Sequence, residues 1–291
     1  MIKENVPACP AGCKYCMVNY IPTRYDKWKQ STLYGINKTL TFINPPANKL
    51  NLVNFDLLTA DYIGYQGIND PFNPIFKKDL AKLIDIIETG EFKKLILVSK
   101  IPPNFDYLKS ILQGTKKIQL VVSVTGLEKP IELISIKDRI KFIENIIKIG
   151  LIPLILIHPY IHKVSKLYWI KYFKGANVYF SYKGFRYSKN MTLVTKFIPK
   201  NILNIYEKNE NEEILLGEDC LLEQLTKYIE LYRIVNFRKF IHSFNTLSIN
   251  DSFKNANEKV KKLLNLANIS SSDSQNVLTC SILRRISVDL I

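Results

Sequence analysis

Between residues 60 and 187, short apolar runs alternate with amphipathic stretches, and few architectures accommodate that order. Lys94-Leu95-Ile96-Leu97-Val98-Ser99-Lys100 is an apolar run bounded by charge, the pattern of a buried parallel strand. Asp61 to Gly67 reads as the end of a strand running into a glycine-bearing turn, and Gln119 to Gly126, Leu151 to Ile157 and Asn177 to Tyr182 are further strand candidates. Helical periodicity separates them. It runs over Phe76 to Thr89 with Leu80, Leu83, Ile84 and Ile87, and more briefly over Asp106 to Leu112. It returns over residues 134–150 with Ile140, Phe142, Ile143, Ile146 and Ile147, and over Leu167 to Phe173. Gly150 follows the third helix as a C-terminal glycine would. Strand–helix alternation specifies right-handed βαβ units and a parallel sheet. With Ile2 to Val6 as a first strand, the expected fold is α/β, an incomplete (β/α)6 TIM-like barrel with parallel strands. Chemistry in such folds gathers at the C-terminal ends of the strands.

Residues 188–291 read differently. Glu213-Ile214-Leu215-Leu216 is one more strand candidate. Leu221 to His242 and Asn255 to Ala267 read as helices, and Ser270-Ser271-Ser272-Asp273-Ser274 as a linker-like polar run. The expected division is a barrel over residues 1–190 and a mostly helical C-terminal region over 191–291 that packs on it.

A chain of 291 residues with 47% hydrophobic and 11% aromatic content can bury a full core. The longest apolar stretch, Gly150 to Ile157, is strand-sized and contains Pro153, which argues against a membrane span. Met1-Ile2-Lys3-Glu4-Asn5 lacks the apolar core of a signal peptide. The expectation is a cytoplasmic protein with no membrane partner. The net charge of +15 favours anionic partners, either nucleic acid or an acidic peptide. Compositional bias explains the charge equally simply, because Lys, Ile and Asn are abundant and the lysines are spread along the chain.

The densest chemistry is Cys9-Pro10-Ala11-Gly12-Cys13-Lys14-Tyr15-Cys16. Thiolates are natural ligands for soft iron, and three of them can hold three corners of a cubane. A structural zinc site would want four N or S ligands, and the three histidines, His158, His162 and His242, all lie far away in sequence. Pro159 also makes a helical metal face from His158 and His162 improbable. Five cysteines, an odd count without a secretory signal, disfavour a disulfide framework. Cys220 and Cys280 read as buried inert thiols, with hydrogen-atom donation as the alternative for one of them.

The C-x3-C-x2-C spacing resembles the signature of the radical S-adenosylmethionine enzymes. Asp70-Pro71-Phe72-Asn73-Pro74 is similar to a segment of their spore photoproduct lyase-like branch. The resemblance spans about residues 9–187 and implies a set of roles. Cys9, Cys13 and Cys16 would hold a [4Fe-4S] cluster whose open iron takes S-adenosylmethionine. Reduction would cleave that cofactor and release a 5'-deoxyadenosyl radical, which abstracts hydrogen. Tyr15 would lie near the adenine. Gly64, Tyr65, Gln66 and Gly67 would contact the methionine amino group. Ser123 would touch the ribose or carboxylate, unless backbone satisfies its hydroxyl. Arg139, in the pair Arg139-Ile140, would reach the carboxylate, unless it forms a surface pair with Asp138. Pro159 falls in the segment that closes the next strand. Two isolated cysteines elsewhere imply a single cluster.

The reading of function that follows is a radical enzyme that modifies a peptide or protein, for example a maturase of ribosomal peptides such as a splicease. It would need an electron donor of the flavodoxin or ferredoxin type and a separate leader-binding partner. The alternative is repair or modification of nucleic acid. A non-enzymatic protein carrying a cluster or zinc is a third reading.

Overall fold

The computed structural model describes residues 9–16, 62–65, 70–89 and 94–235. Five strands form one parallel sheet: β1 (Tyr62–Tyr65), β2 (Lys94–Ser99), β3 (Ile118–Ser123), β4 (Leu154–Ile157) and β5 (Tyr179–Tyr182). They lie in chain order, each paired in parallel with the next. The crossovers are α1 (Lys77–Thr89), α2 (Phe105–Leu112), α3 (Ile136–Lys148) and a 3-10 helix, Tyr168–Phe173. A strand order that never reverses sends every right-handed crossover over the same face.

The packing reflects this one-sidedness. Alternate side chains of a strand point to opposite faces. On one face Leu95, Leu97, Leu120, Val122, Ile155, Ile157 and Phe180 join the main core. There they meet Leu80, Leu83 and Ile87 of α1, Leu108 and Leu112 of α2, and Phe142, Ile143 and Ile146 of α3. On the other face Ile96, Val121, Leu154 and Leu156 form a small cluster with Val98, Tyr179 and Val235.

Local chemistry fixes the helix starts. Asn104 accepts from the backbone N–H of Asp106 and Tyr107, and Ser135 from that of Asp138. Each such cap contributes about 1 kcal/mol. Gly150 takes φ +88° directly after α3, the left-handed stop expected of a glycine there.

Beyond β5 the chain forms β6 (Phe185–Arg186) and β7 (Glu213–Ile214), an antiparallel pair, with α4 (Thr192–Thr195), α5 (Lys200–Lys208) and α6 (Glu218–Thr226). Met191, Val194, Ile202, Tyr206, Leu221 and Leu225 belong to the main core. The expected helix from Leu221 to His242 forms only over its first residues, Leu221 to Thr226, and not over the rest of its described part. α6 ends at Thr226, and the N–H groups of Tyr228 and Ile229 close the turn on Leu225 O. The chain then extends, so that Ile234 bridges in parallel to Phe180 and Val235 N donates to Phe180 O at 2.8 Å. Pairing at the β5 edge and burial of Val235 outweigh helical periodicity in this stretch. The expected elements Ile2 to Val6 and Asn255 to Ala267 lie outside the described residues. Among the described residues no helix is long and apolar enough to cross a membrane.

Candidate functional site

The loop Cys9–Cys16 is seated over the C-terminal ends of the strands. Inside it, Gly12 N donates to Cys9 O and Cys16 N to Cys13 O, both at 3.2 Å. Gly12 has φ +56°, and a Cβ there would lie 2.3 Å from Leu133 Cδ1. The left-handed turn favours glycine here, whereas the exposed Leu133 side chain has room to move aside. Lys14 N donates to Ile131 O at 2.9 Å. The loop is thus docked on Ile131–Leu133, in the connection between β3 and α3.

Cys9 and Cys16 are half-buried and Cys13 is buried. Burial pushes the Cys9 thiol up to about 11, against the opposing pull of the backbone at Ala11 and Asp70. Cys13 Sγ lies 3.8 Å from Ala11 O and 4.0 Å from Glu132 Oε1. Among the described residues, no three His, Cys, Asp or Glu side chains stand close enough to grip a single metal ion. An iron–sulfur cluster is wider than one ion, and its irons are held by separate thiolates. Three thiols of one loop are the donor chemistry such a cluster needs. Binding a cation would also displace the proton that burial keeps on Cys9.

Beside the loop lies a buried charge network built on Glu132, which is 1% exposed. Its Oε2 meets Arg139 Nη2 at 2.6 Å and accepts from Thr125 Oγ1 at 2.7 Å. Its Oε1 accepts from the Tyr15 hydroxyl and faces Lys100 Nζ at 3.4 Å. Lys100 Nζ also contacts the Tyr15 hydroxyl and stands 4.4 Å from the centroid of that ring. Burial opposes ionisation of Glu132. Lys100 and Arg139, with hydrogen bonds from Tyr15 and Thr125, outweigh it and hold the carboxyl below its ordinary range. The Tyr15 hydroxyl is pushed well above the usual phenol range, first by burial and then by Glu132. The network joins the cysteine loop, the end of β2, the end of β3 and the start of α3.

Asp70 performs a related task. Its carboxylate accepts from Phe72 N at 2.9 Å, Ser99 Oγ at 2.7 Å, Lys100 N at 2.6 Å and Ile101 N at 3.1 Å. These bonds fasten the turn after β1 to the end of β2, beside Cys9.

The residues expected at a cofactor site are distributed as follows. Tyr15 and Arg139 share Glu132. Arg139 is fully buried and donates to Ser123 O at 3.3 Å and Ile134 O at 3.1 Å. A surface pair with Asp138 does not form, because Asp138 bonds to Ser135 at the start of α3. Ser123 is buried at the end of β3, and its hydroxyl donates to His158 O at 3.0 Å. Pro159 is buried just beyond the end of β4. The backbone of Gly64 and Tyr65 ends β1, in register with Ile96 and Leu97. Gln66, Gly67 and Cys280 lie outside the described residues. Cys220 is exposed rather than buried, because α6 turns Leu221 and Leu225 into the core and leaves Cys220 on its outer side.

Sequence reading missed Glu132 and treated Lys100 only as a strand boundary. The signal was present in Pro130-Ile131-Glu132-Leu133-Ile134, where one carboxylate stands among apolar residues. A charge in such a setting implies a buried partner. It missed His158 as a site group as well. This imidazole is half-buried at the end of β4. Burial, then Lys100, Lys183 and Arg186, push its pKa down to about 3, so it is neutral at ordinary pH.

No protein-family model and no curated protein matches the chain. Among solved structures it is similar to spore photoproduct lyase. A cysteine-to-serine mutant aligns at 13% identity and a TM-score of 0.48, over 78% of this chain and 73% of that one. The enzyme complexed with dinucleoside spore photoproduct gives 13% and 0.48, over 79% and 73%. A double mutant with bound AdoMet and the dinucleoside gives 14% and 0.47, over 78% and 73%. Likeness at this level fixes neither the chemistry nor the substrate of this chain.

Proposed function

We propose that the chain is a radical S-adenosylmethionine enzyme built on an incomplete parallel (β/α)6 barrel. The observation that carries the reading is the three-thiol loop docked over the strand ends through Gly12, Lys14 and Tyr15. Cys9, Cys13 and Cys16 would hold a [4Fe-4S] cluster, which, with S-adenosylmethionine and an electron, supplies a hydrogen-abstracting radical.

The protein's own contributions follow from the site. The Glu132 network fixes the loop against the sheet, so the thiols are positioned before anything binds. The buried aromatic Tyr15 and the apolar residues around Cys13 limit water at the loop. Gly64 to Gly67 and Pro159 would contribute to holding the cofactor, as the resemblance implies, and Lys100 and Arg139 neutralise Glu132 beside the loop. Arg139 is already paired with Glu132, so its part is to hold the network and Ser123 O rather than to stand free for a ligand. The barrel reading takes residues 1–190 as the catalytic unit and the rest as an extension on it. A cytoplasmic setting and a flavodoxin or ferredoxin donor belong to the same proposal.

Of the two substrate classes, nucleic acid is the better supported. Lys100 and Lys183 directly follow the ends of β2 and β5, and the Asp70-Pro71 segment, which carries part of the resemblance, is bonded to the backbone at Lys100. A peptide substrate has only the overall charge in its favour.

The test is anaerobic reconstitution followed by dithionite and S-adenosylmethionine, with 5'-deoxyadenosine as the readout. The proposal expects about four irons per chain and 5'-deoxyadenosine above a no-reductant control. It also expects loss of both in Cys9→Ala, Cys13→Ala or Cys16→Ala. A full iron complement in any of these variants would contradict it.

A further inference from the structure

Three charged side chains gather beside the cysteine loop, and stability alone does not account for them. Glu132 and Arg139 are at most 1% exposed, and Lys100 is half-buried. Exchanging a buried ion pair for apolar residues of similar volume is often neutral or stabilising, so charge kept in such a place calls for another use. The Arg139 guanidinium is also left short of a partner, since its Nε is buried with no hydrogen bond. An apolar anchor would hold the loop without that cost. The carboxylate is oriented as well. Its Oε1 is turned to the loop, 4.0 Å from Cys13 Sγ, and accepts from the Tyr15 hydroxyl. Its Oε2 is turned to α3 and meets Arg139 Nη2 at 2.6 Å. The Arg139–Glu132 pair thus presents its negative end to Cys13. Lys100 Nζ, just past the end of β2, stands 3.4 Å from Oε1.

We infer that Glu132, balanced by Lys100 and Arg139, sets the reduction potential of the cluster by acting through Cys13. This rests on the cluster reading proposed above. Cluster potentials respond to net charge, to hydrogen bonds at the sulfurs and to solvent exposure. Residues behind a ligand act on the metal through that ligand. A fixed negative charge beside a ligand sulfur opposes an incoming electron and lowers the potential, and a cation raises it. Burial leaves these influences weakly screened. Glu132 therefore pulls the potential down, Lys100 and Arg139 pull it up, and the balance of the three decides how readily the cluster is reduced. Asp70, another buried carboxylate beside the loop, is common to every variant compared below.

The experiment is a redox titration of the reconstituted full chain, without S-adenosylmethionine, followed by electron paramagnetic resonance of the reduced cluster. Iron per chain is measured on each sample. Glu132→Gln keeps the shape and removes the charge, whereas Glu132→Asp keeps the charge. Lys100→Gln removes a cation that faces the same oxygen. The inference expects Glu132→Gln to shift the equilibrium toward the reduced cluster roughly tenfold or more, about 59 mV for one electron. Lys100→Gln should shift it the other way, and by less, because water reaches part of that side chain. Glu132→Asp should stay near the unaltered protein. A merely structural anchor would cost iron in these variants without opposed shifts in the cluster that remains. Equal potentials in the unaltered protein and in loaded Glu132→Gln overturn the inference. So do shifts of the same sign from Glu132→Gln and Lys100→Gln. If Glu132→Gln takes up no iron, Lys100→Gln decides: a lowered potential upholds the inference and an unmoved one overturns it. Absence of a cluster from the unaltered protein refutes the enzyme class and the inference together. A loaded cluster whose potential ignores both exchanges refutes the inference alone.

Discussion

The helix-facing side of the sheet and the ends of its strands are made by the same segments but held by different forces. On the helix side Leu95, Leu97, Leu120, Val122, Ile155 and Phe180 are each at most 1% exposed and belong to one hydrophobic cluster. A few residues further along the same strands stand Lys100, Ser123, Thr125 and His158, among Glu132, Arg139 and Asp70. Burial stabilises in proportion to area, without direction. Buried charges and hydroxyls stabilise only when each finds its partner. The helix side should therefore tolerate volume-conserving exchange, whereas the strand ends should fail when one partner is lost.

The sharpest way to break this contrast is at Glu132. Glu132→Ala leaves Arg139 charged and buried and should cost roughly 3–5 kcal/mol. Glu132→Gln, which keeps the shape, should cost less. Urea unfolding measures both, and a loss under about 1 kcal/mol for Glu132→Ala would mean the network is not structural. On the helix side Leu97→Ala should cost about 2–5 kcal/mol through transfer and cavity terms, while Leu97→Met costs under about 1.5 kcal/mol. An equal loss from both exchanges would remove the distinction between the regions.

A more gradual effect should appear as acid sensitivity. The folded pKa of His158 is pushed down to about 3 by burial and nearby cations, against an ordinary 6.5. The unfolded chain therefore takes up a proton first as pH falls. The contribution is complete above pH 6.5 and is lost progressively between 6.5 and 3, by at most about 1.4 kcal/mol per pH unit. His158→Asn should flatten that slope in melts taken across the interval, and an unchanged slope would show that the imidazole does not remain neutral. Last, Ser181→Ala should not destabilise and should gain up to about 1–3 kcal/mol, since the buried hydroxyl it removes has no partner to lose. A destabilisation would mean that Ser181 is satisfied within the folded chain.

Much of the sheet could be read from local pattern. Lys94 to Lys100 and Asn177 to Tyr182 contain β2 and β5, Gln119 to Gly126 covers β3 from its second residue and runs three residues past its end, and the periodicity of residues 134–150 contains α3. These succeed because the buried face of a strand or helix imposes its own spacing. The helix expected over Leu221 to His242 holds only to Thr226, because Ile234 and Val235 pair with the edge of β5, a contact that no local window contains. The site divides in the same way. The cysteine spacing is local and legible. The tie from Tyr15 to Glu132 joins residues 117 positions apart, and Asp70 reaches Ser99 across 29. Such pairs exist only once the sheet brings the strand ends together. Cys220 was misjudged because a lone thiol gives no local sign of which side of α6 it occupies.

The most direct test of the central claim is electron paramagnetic resonance of the reduced, reconstituted protein with and without S-adenosylmethionine. The account predicts a reduced four-iron cluster signal that changes when the cofactor is added, because one iron lacks a protein thiolate and can bind it. A signal identical in both samples, or no cluster signal at all, would contradict it.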